Sequence, residues 1–103
     1  MAKELNAATF SDAVAGNELT VVDFWATWCG PCRMLSPVLE EIEKESGLNL
    51  CKVNIDEQPE LANRYGIEVI PTLLFFRNGK EIGRESGFRP KPMMLETIEK
   101  YSK

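Results

Sequence analysis

The chain has 103 residues, the span of one domain, with 12 Lys and Arg against 16 Asp and Glu, a formal net charge of −4, no His and three Cys. The acidic balance argues against a nucleic-acid partner, which would want a basic face. Without His, three cysteines cannot complete a four-ligand zinc site, a His general base and any His-containing triad are excluded, and an odd cysteine count does not make the even disulfide framework of a small secreted protein. Chemistry here must come from cysteine, carboxylate, lysine or backbone.

The opening residues Met1 to Leu5 lead into mixed polar sequence without an apolar signal-peptide core, so no targeting segment is expected. A short strand at Lys3 to Leu5 is only weakly signalled. Asn6 to Ala15 reads as a short helix with Phe10, Ala13 and Val14 inward, Asn6 or Thr9 as cap and Gly16 as stop. Leu19 to Ala26 is apolar on both faces except at Asp23, the pattern of a central strand. Pro31 to Ser46 carries Leu35, Val38, Leu39 and Ile42 at helical spacing and ends at Gly47, with Pro37 expected to kink it. Leu48 to Ile55 is a second long strand, and Glu57 to Tyr65 a helix ended by Gly66. Thr72 to Phe76 and Glu81 to Glu85 are strands joined by Asn78-Gly79, a two-residue hairpin signal. From Pro90 onward, Met94, Leu95, Ile98 and Tyr101 mark a closing amphipathic helix. A strand–helix–strand half followed by a hairpin and helix predicts one α/β domain over residues 1–103, with a mixed sheet of four to five strands and helices on both faces. The apolar runs near Val21 and Leu73 fall far short of the roughly 20 residues that cross a bilayer, so no membrane partner is expected. The expected location is cytoplasmic, or organellar after maturation, and the expected state a monomer.

The strongest chemical feature is Trp28-Cys29-Gly30-Pro31-Cys32, where the Leu19–Ala26 strand hands over to the long helix. If the two cysteines pair, their Cβ atoms must approach to about 3.5–4.5 Å, closer than ordinary neighbours three apart on a helix at about 5–6 Å. Cys29 should then sit at the cap, just outside the helix, with Pro31 at the first helical position and Gly30 allowing a tight turn. Unpaired backbone N–H groups at the helix start favour an anion, so Cys29 is the expected nucleophile and Cys32 the resolving thiol. The bland alternatives are half of a metal site or two inert core cysteines. Asp23, a carboxylate in an apolar strand, should hold its proton toward neutral pH. It is the best available base for Cys32, or else a structural partner of a lysine. Lys52 interrupts its own strand as Asp23 does and is that candidate partner, or a snorkelling surface residue. Cys51 reads as a small buried hydrophobe, with a regulatory or dimer-forming thiol as the sharper alternative.

The stretch VDFWATWCGPC, Val22 to Cys32, resembles the active-site segment of the thioredoxins. KVNIDE, from Lys52 to Glu57, and YGIEVIPTLLFFRNGKEIGRESG, from Tyr65 to Gly87, extend the likeness through the chain, including the Ile-Pro-Thr step. The resemblance implies the thioredoxin fold and reduction of protein disulfides by dithiol–disulfide exchange through Cys29 and Cys32, with Asp23 and Lys52 assisting. It implies that Pro71 follows a cis bond and faces the cysteines, leaving the Ile70 backbone free to pair with an extended client. Trp28, Gly30, Pro31, Ile70, Pro71 and Gly87 would then border a shallow substrate groove, although Trp28 could be a core aromatic instead. It further implies no bound cofactor beyond a redox-active Cys29–Cys32 disulfide, and as partners disulfide-containing client proteins and a flavin-dependent thioredoxin reductase. Arg89-Pro90-Lys91-Pro92 and Met93-Met94 depart from the family's usual sequence before the last helix and bear on partner preference. Two rivals are an oxidase or isomerase on the same fold, disfavoured by Gly30-Pro31 between the cysteines, and a non-enzymatic binding module.

Overall fold

The computed structural model describes residues 2–103. Its elements are β1 Lys3–Glu4, α1 Phe10–Ala13, β2 Thr20–Trp25, α2 Gly30–Ser46, β3 Asn49–Asn54, α3 Pro59–Arg64, β4 Thr72–Arg77, β5 Lys80–Ser86 and α4 Lys91–Ser102. The five strands form one sheet in the order β1-β3-β2-β4-β5. β1, β3 and β2 run parallel, while β4 pairs antiparallel with β2 and β5 antiparallel with β4. The weakly signalled first strand is therefore present, and the mixed sheet expected from the element order is the one found.

Local chemistry accounts for the element ends. Asn78 and Gly79 both take positive φ, 56° and 78°, as the tight hairpin between β4 and β5 requires. Gly47 closes α2 in the left-handed region, and its N–H donates to the Glu43 carbonyl at 2.9 Å. Pro37 does not break α2; it lies on the exposed side of the helix. The first helix is much shorter than its apolar spacing predicts. The turn before it is held by Asn6 in the manner of a cap, its Oδ1 accepting from the N–H groups of Ala8 and Thr9 at 2.9 and 3.1 Å and its carbonyl from the Phe10 N–H at 3.0 Å.

The alternation along the strands splits the core into two layers. On one face Val22, Phe24, Cys51, Val53, Leu74 and Phe76 pack with Phe10 of α1 and Leu61 of α3. On the other, Val21, Leu50, Leu73 and Phe75 pack with Leu35, Leu39 and Ile42 of α2 and Met94 and Ile98 of α4. Tyr101 stacks on Phe75 with centroids 4.1 Å apart and covers Gly83, where a Cβ would fall inside its ring. Its hydroxyl donates to Glu85 at 2.5 Å, and Lys100 and Arg89 reach the same carboxylate, each at 3.1 Å. The Tyr101 hydrogen bond, with the two cations, holds Glu85 below the usual carboxylate range. This cluster ties α4 to the sheet edge.

Candidate active site

β2 lies between β3 and β4, so the chain leaves its carboxyl end for one side through α2 and later returns on the other. Such a switch point opens a crevice beyond the strand ends. The carboxyl ends of β2, β3 and β5 and the start of β4 all meet at this edge. Residues far apart in sequence are thereby gathered: 28–32 after β2, 55–57 after β3, 69–71 before β4 and 87–88 after β5.

Cys29 and Cys32 form a disulfide there. Cys29 is the N-cap of α2, in extended conformation, and its Sγ accepts from the Cys32 N–H at 3.1 Å. The sulfur therefore occupies the position of a capping oxygen, at the positive end of the helix. Both cysteines are buried, Cys29 at 5 % exposed and Cys32 at 2 %. Gly30 begins the helix and Pro31 takes the second position, one later than expected, where an N–H is also dispensable. Gly30 has no positive φ, so the chain passes from extended Cys29 into the helix without using glycine's left-handed conformation. A Cβ there would meet nothing within 4 Å, which leaves open space beside the sulfur. Arg33 braces the preceding turn by donating to the Thr27 carbonyl at 2.8 Å.

The opposite wall comes from the β4 approach. The Ile70–Pro71 bond is cis, and the Ile70 carbonyl oxygen lies 3.8 Å from Cys29 Sγ. Pro71 is buried, and its carbonyl accepts from the Gly87 N–H at 2.9 Å. Gly87 has a φ of 93°, a conformation strained for any residue with a side chain. Thr72 fastens the same corner, donating to the Val69 carbonyl at 2.7 Å with its hydroxyl 3.0 Å from that of Ser86. Ile70 and Ile55 pack against the disulfide with Ala26 and Trp25.

Trp28 is not a core aromatic. It is 64 % exposed, and its Nε1 donates to Asp56 Oδ2 at 2.8 Å. Asp56 is in turn positioned by buried Asn54, whose Oδ1 accepts its N–H at 2.9 Å. Asp56 was not among the residues singled out in the sequence; its place just beyond a strand end was the available signal. Val69 and Phe88, 58 % and 37 % exposed, extend the apolar surface on either side of Ile70-Pro71 and Gly87, and sequence reading passed over them too.

Asp23 is 1 % exposed and lies on the α2/α4 side of the sheet, paired in register with Lys52 on β3 and Leu73 on β4. Neither of its oxygens has a hydrogen-bond partner. Burial pushes its pKa up to about 7, with Lys52 opposing and Glu4 reinforcing the shift. Lys52 is its neighbour and opposes the upward shift, as expected of an adjacent ammonium, but it is not its hydrogen-bond partner. The ammonium donates to Ser36 Oγ at 2.7 Å and lies 4.6 Å from the Trp25 ring centroid. Cys51 is free, buried on the other face, and burial raises its thiol pKa, so it lacks thiolate character. Among the described residues no group of three or more Cys, Asp or Glu side chains is placed to hold a metal ion.

A disulfide at the N-terminus of a helix, packed beside a cis-proline corner of a mixed sheet, is the arrangement of a thiol–disulfide oxidoreductase. Comparison with known proteins agrees. The Thioredoxin family model matches residues 1–100. The chain is 47% identical over 103 residues to the thioredoxin of Listeria monocytogenes, covering 98% of this chain and 99% of that one. It is 45% identical over 101 residues to the Synechocystis thioredoxin, covering 95% and 94% of the two chains. Against the chloroplastic M-type thioredoxin of Pisum sativum the identity is 47% over 100 residues, 94% of this chain and 58% of that protein. The crystal structure of Malassezia sympodialis thioredoxin superposes with a TM-score of 0.88 at 34% identity, over 100% of this chain and 92% of that one. The chain belongs to the thioredoxin family.

Proposed function

We propose that the chain acts as one domain over residues 1–103 and reduces client protein disulfides, with Cys29 as nucleophile, Cys32 as resolving thiol and Asp23 as proton acceptor. The observation that carries this reading is the Cys32 N–H donated to Cys29 Sγ at the helix start. That donor and the helix dipole favour the Cys29 thiolate over the thiol in the reduced form. The thiolate attacks one client sulfur in line, the client S–S bond breaks, and the second client sulfur leaves as thiolate. Cys32 then gives its proton to Asp23, directly or through water, and its thiolate attacks Cys29 Sγ. The mixed disulfide breaks, the first client sulfur leaves, and the Cys29–Cys32 bond forms. Two electrons have passed from the chain to the client.

Trp28, Val69, Ile70, Pro71, Gly87 and Phe88 form the docking surface, with Gly30 and Pro31 leaving the sulfur approachable. An extended client segment aligns along the Ile70 backbone, supported by the closeness of its carbonyl to Cys29 Sγ. Lys52 and Asp23 act together on the second proton transfer. The oxidised pair is returned to dithiol by a thioredoxin reductase, and no bound cofactor is required because the electrons travel in the two sulfurs. A reductant of this kind works where the surroundings keep thiols reduced, which supports a cytoplasmic location. No helix among the described residues is long and apolar enough to cross a membrane. We read the working unit as a monomer.

The test is a Cys32→Ser variant under turnover with oxidised clients. Mixed disulfides should accumulate on Cys29 and identify the clients. Absence of any adduct, or adducts on Cys51 alone, would overturn the mechanism.

A further inference from the structure

We propose that Ser36 is a positioning residue for the proton transfer at Cys32: its hydroxyl holds the Lys52 ammonium off the Asp23 carboxylate. The proposal rests on the reading of Asp23 as proton acceptor and extends it to a group on α2 that the sequence did not single out.

Asp23 and Lys52 are register partners on adjacent parallel strands, with side chains on the same face. A lysine so placed beside a buried carboxylate has every reason to bond it, since an unpaired buried carboxylate is costly. It does not: both Asp23 oxygens lack a partner, while Lys52 Nζ donates to Ser36 Oγ at 2.7 Å. The Trp25 ring, two residues beyond Asp23 on β2, receives the cation at 4.6 Å from its centroid. Ser36 is four residues after Cys32, so the two share one side of α2. One helix face therefore carries both the thiol that must lose a proton and the hydroxyl that detains the neighbouring cation.

The other groups around Asp23 do not supply a substitute. β1 contributes Glu4, the register partner of Lys52, whose charge disfavours a second anion. β4 contributes Leu73 directly beside Asp23, and α4 brings Met94 and Ile98 to the layer. α2 contributes Leu35 and Leu39 to the same layer and, through Lys52, the Ser36 hydroxyl. Lys52 is thus the one cation facing the carboxylate among the described residues, and its position decides how readily Asp23 ionises. Held at Ser36, it leaves Asp23 a strong enough base to take a thiol proton near neutral pH. Released, it would bond Asp23, favour the carboxylate and weaken that base.

The experiment is a carboxyl ¹³C titration of Asp23 in the oxidised protein, paired with the pH profile of client disulfide reduction. Ser36→Ala should lower the Asp23 midpoint by about one pH unit as Lys52 turns to it. The acid limb of the rate profile should move down with it by about the same one unit, while the plateau above the midpoint should fall because the base is weaker. Ser36→Thr, which keeps the hydroxyl, should restore both. Lys52→Met should move the midpoint the opposite way, and in Ser36→Ala/Lys52→Met the effect of losing the hydroxyl should vanish. An Asp23 midpoint unmoved or raised in folded Ser36→Ala overturns the proposal, as does a lowering that persists without Lys52. A midpoint that falls while the rate profile stays put overturns Asp23 as the acceptor, and with it Ser36's role in the reaction. The Asp23 reading fails separately if Asp23→Asn leaves the rate profile of the parent unchanged.

Discussion

The two faces of the sheet are built to different ends. Under α1 and α3 the layer is apolar and aromatic: Phe10 meets Phe76 edge-on at 5.6 Å, and Tyr65 packs against Phe10, Phe24 and Phe76 at 5.0, 6.3 and 5.7 Å. Under α2 and α4 the leucine layer is interrupted by a row across three strands, Glu4, Lys52 and Asp23, beside the disulfide helix. Glu4 stands at the exposed end of that row, and partial desolvation raises its pKa against the pull of Lys52. Both faces share β2, where Val22 and Phe24 point to one side and Val21 and Asp23 to the other. The period of two along one strand thus sets an aromatic layer on one face and the buried carboxylate within the leucine layer of the other. The aromatic face offsets what the uncompensated carboxylate costs on the other.

The comparison breaks hardest at Phe24. Phe24→Ala should cost about 3–5 kcal/mol in denaturant unfolding, because the fully buried ring leaves a cavity among Tyr65 and its neighbours. Its disulfide exchange rate per folded molecule should stay near that of the parent; a matching loss of rate would mean the faces are not separable. Asp23→Asn should act in the opposite direction. The folded-state pKa of about 7 stands above the ordinary 3.8, so the folded chain binds the proton more tightly than the unfolded one. Stability from this group is therefore fully present below pH 3.8 and lost as pH rises through about 7. Relative to the parent, oxidised Asp23→Asn should gain stability between pH 4 and 8, on the order of 4 kcal/mol at most, and its client reduction should slow at neutral pH. A stability difference that does not change with pH would mean that Asp23 is not the titrating group. The smallest effect is expected at Cys51, the thiol of the aromatic face. Cys51→Ala should cost about 1 kcal/mol and leave turnover unchanged. A fall in turnover would bring Cys51 into the redox chemistry.

Much of this was legible in the residues. Leu35, Leu39 and Ile42 mark the buried stripe of α2, and Asn78-Gly79 marks the hairpin, because helix period and turn conformation are local properties of the chain. The Cys-Gly-Pro-Cys step announced its chemistry through spacing and its place between strand and helix. Asp23 stood out because a carboxylate in an apolar strand has to be explained. The first helix is shorter than the apolar spacing of Phe10, Ala13 and Val14 predicts, although Asn6 holds the turn before it through bonds from Ala8 and Thr9.

By itself, then, the sequence determined the elements, the redox pair, the absence of any imidazole and the anomaly at Asp23, all consequences of residue type and short-range spacing. The tertiary structure alone decided that 28–32, 55–57, 69–71 and 87–88 meet at one sheet edge, which follows from the strand order. It also decided that Trp28 leans on Asp56 and that Lys52 turns to Ser36 rather than to Asp23. Those contacts join residues 28 and 16 positions apart, and no local periodicity specifies which polar groups meet once the chain has closed on itself.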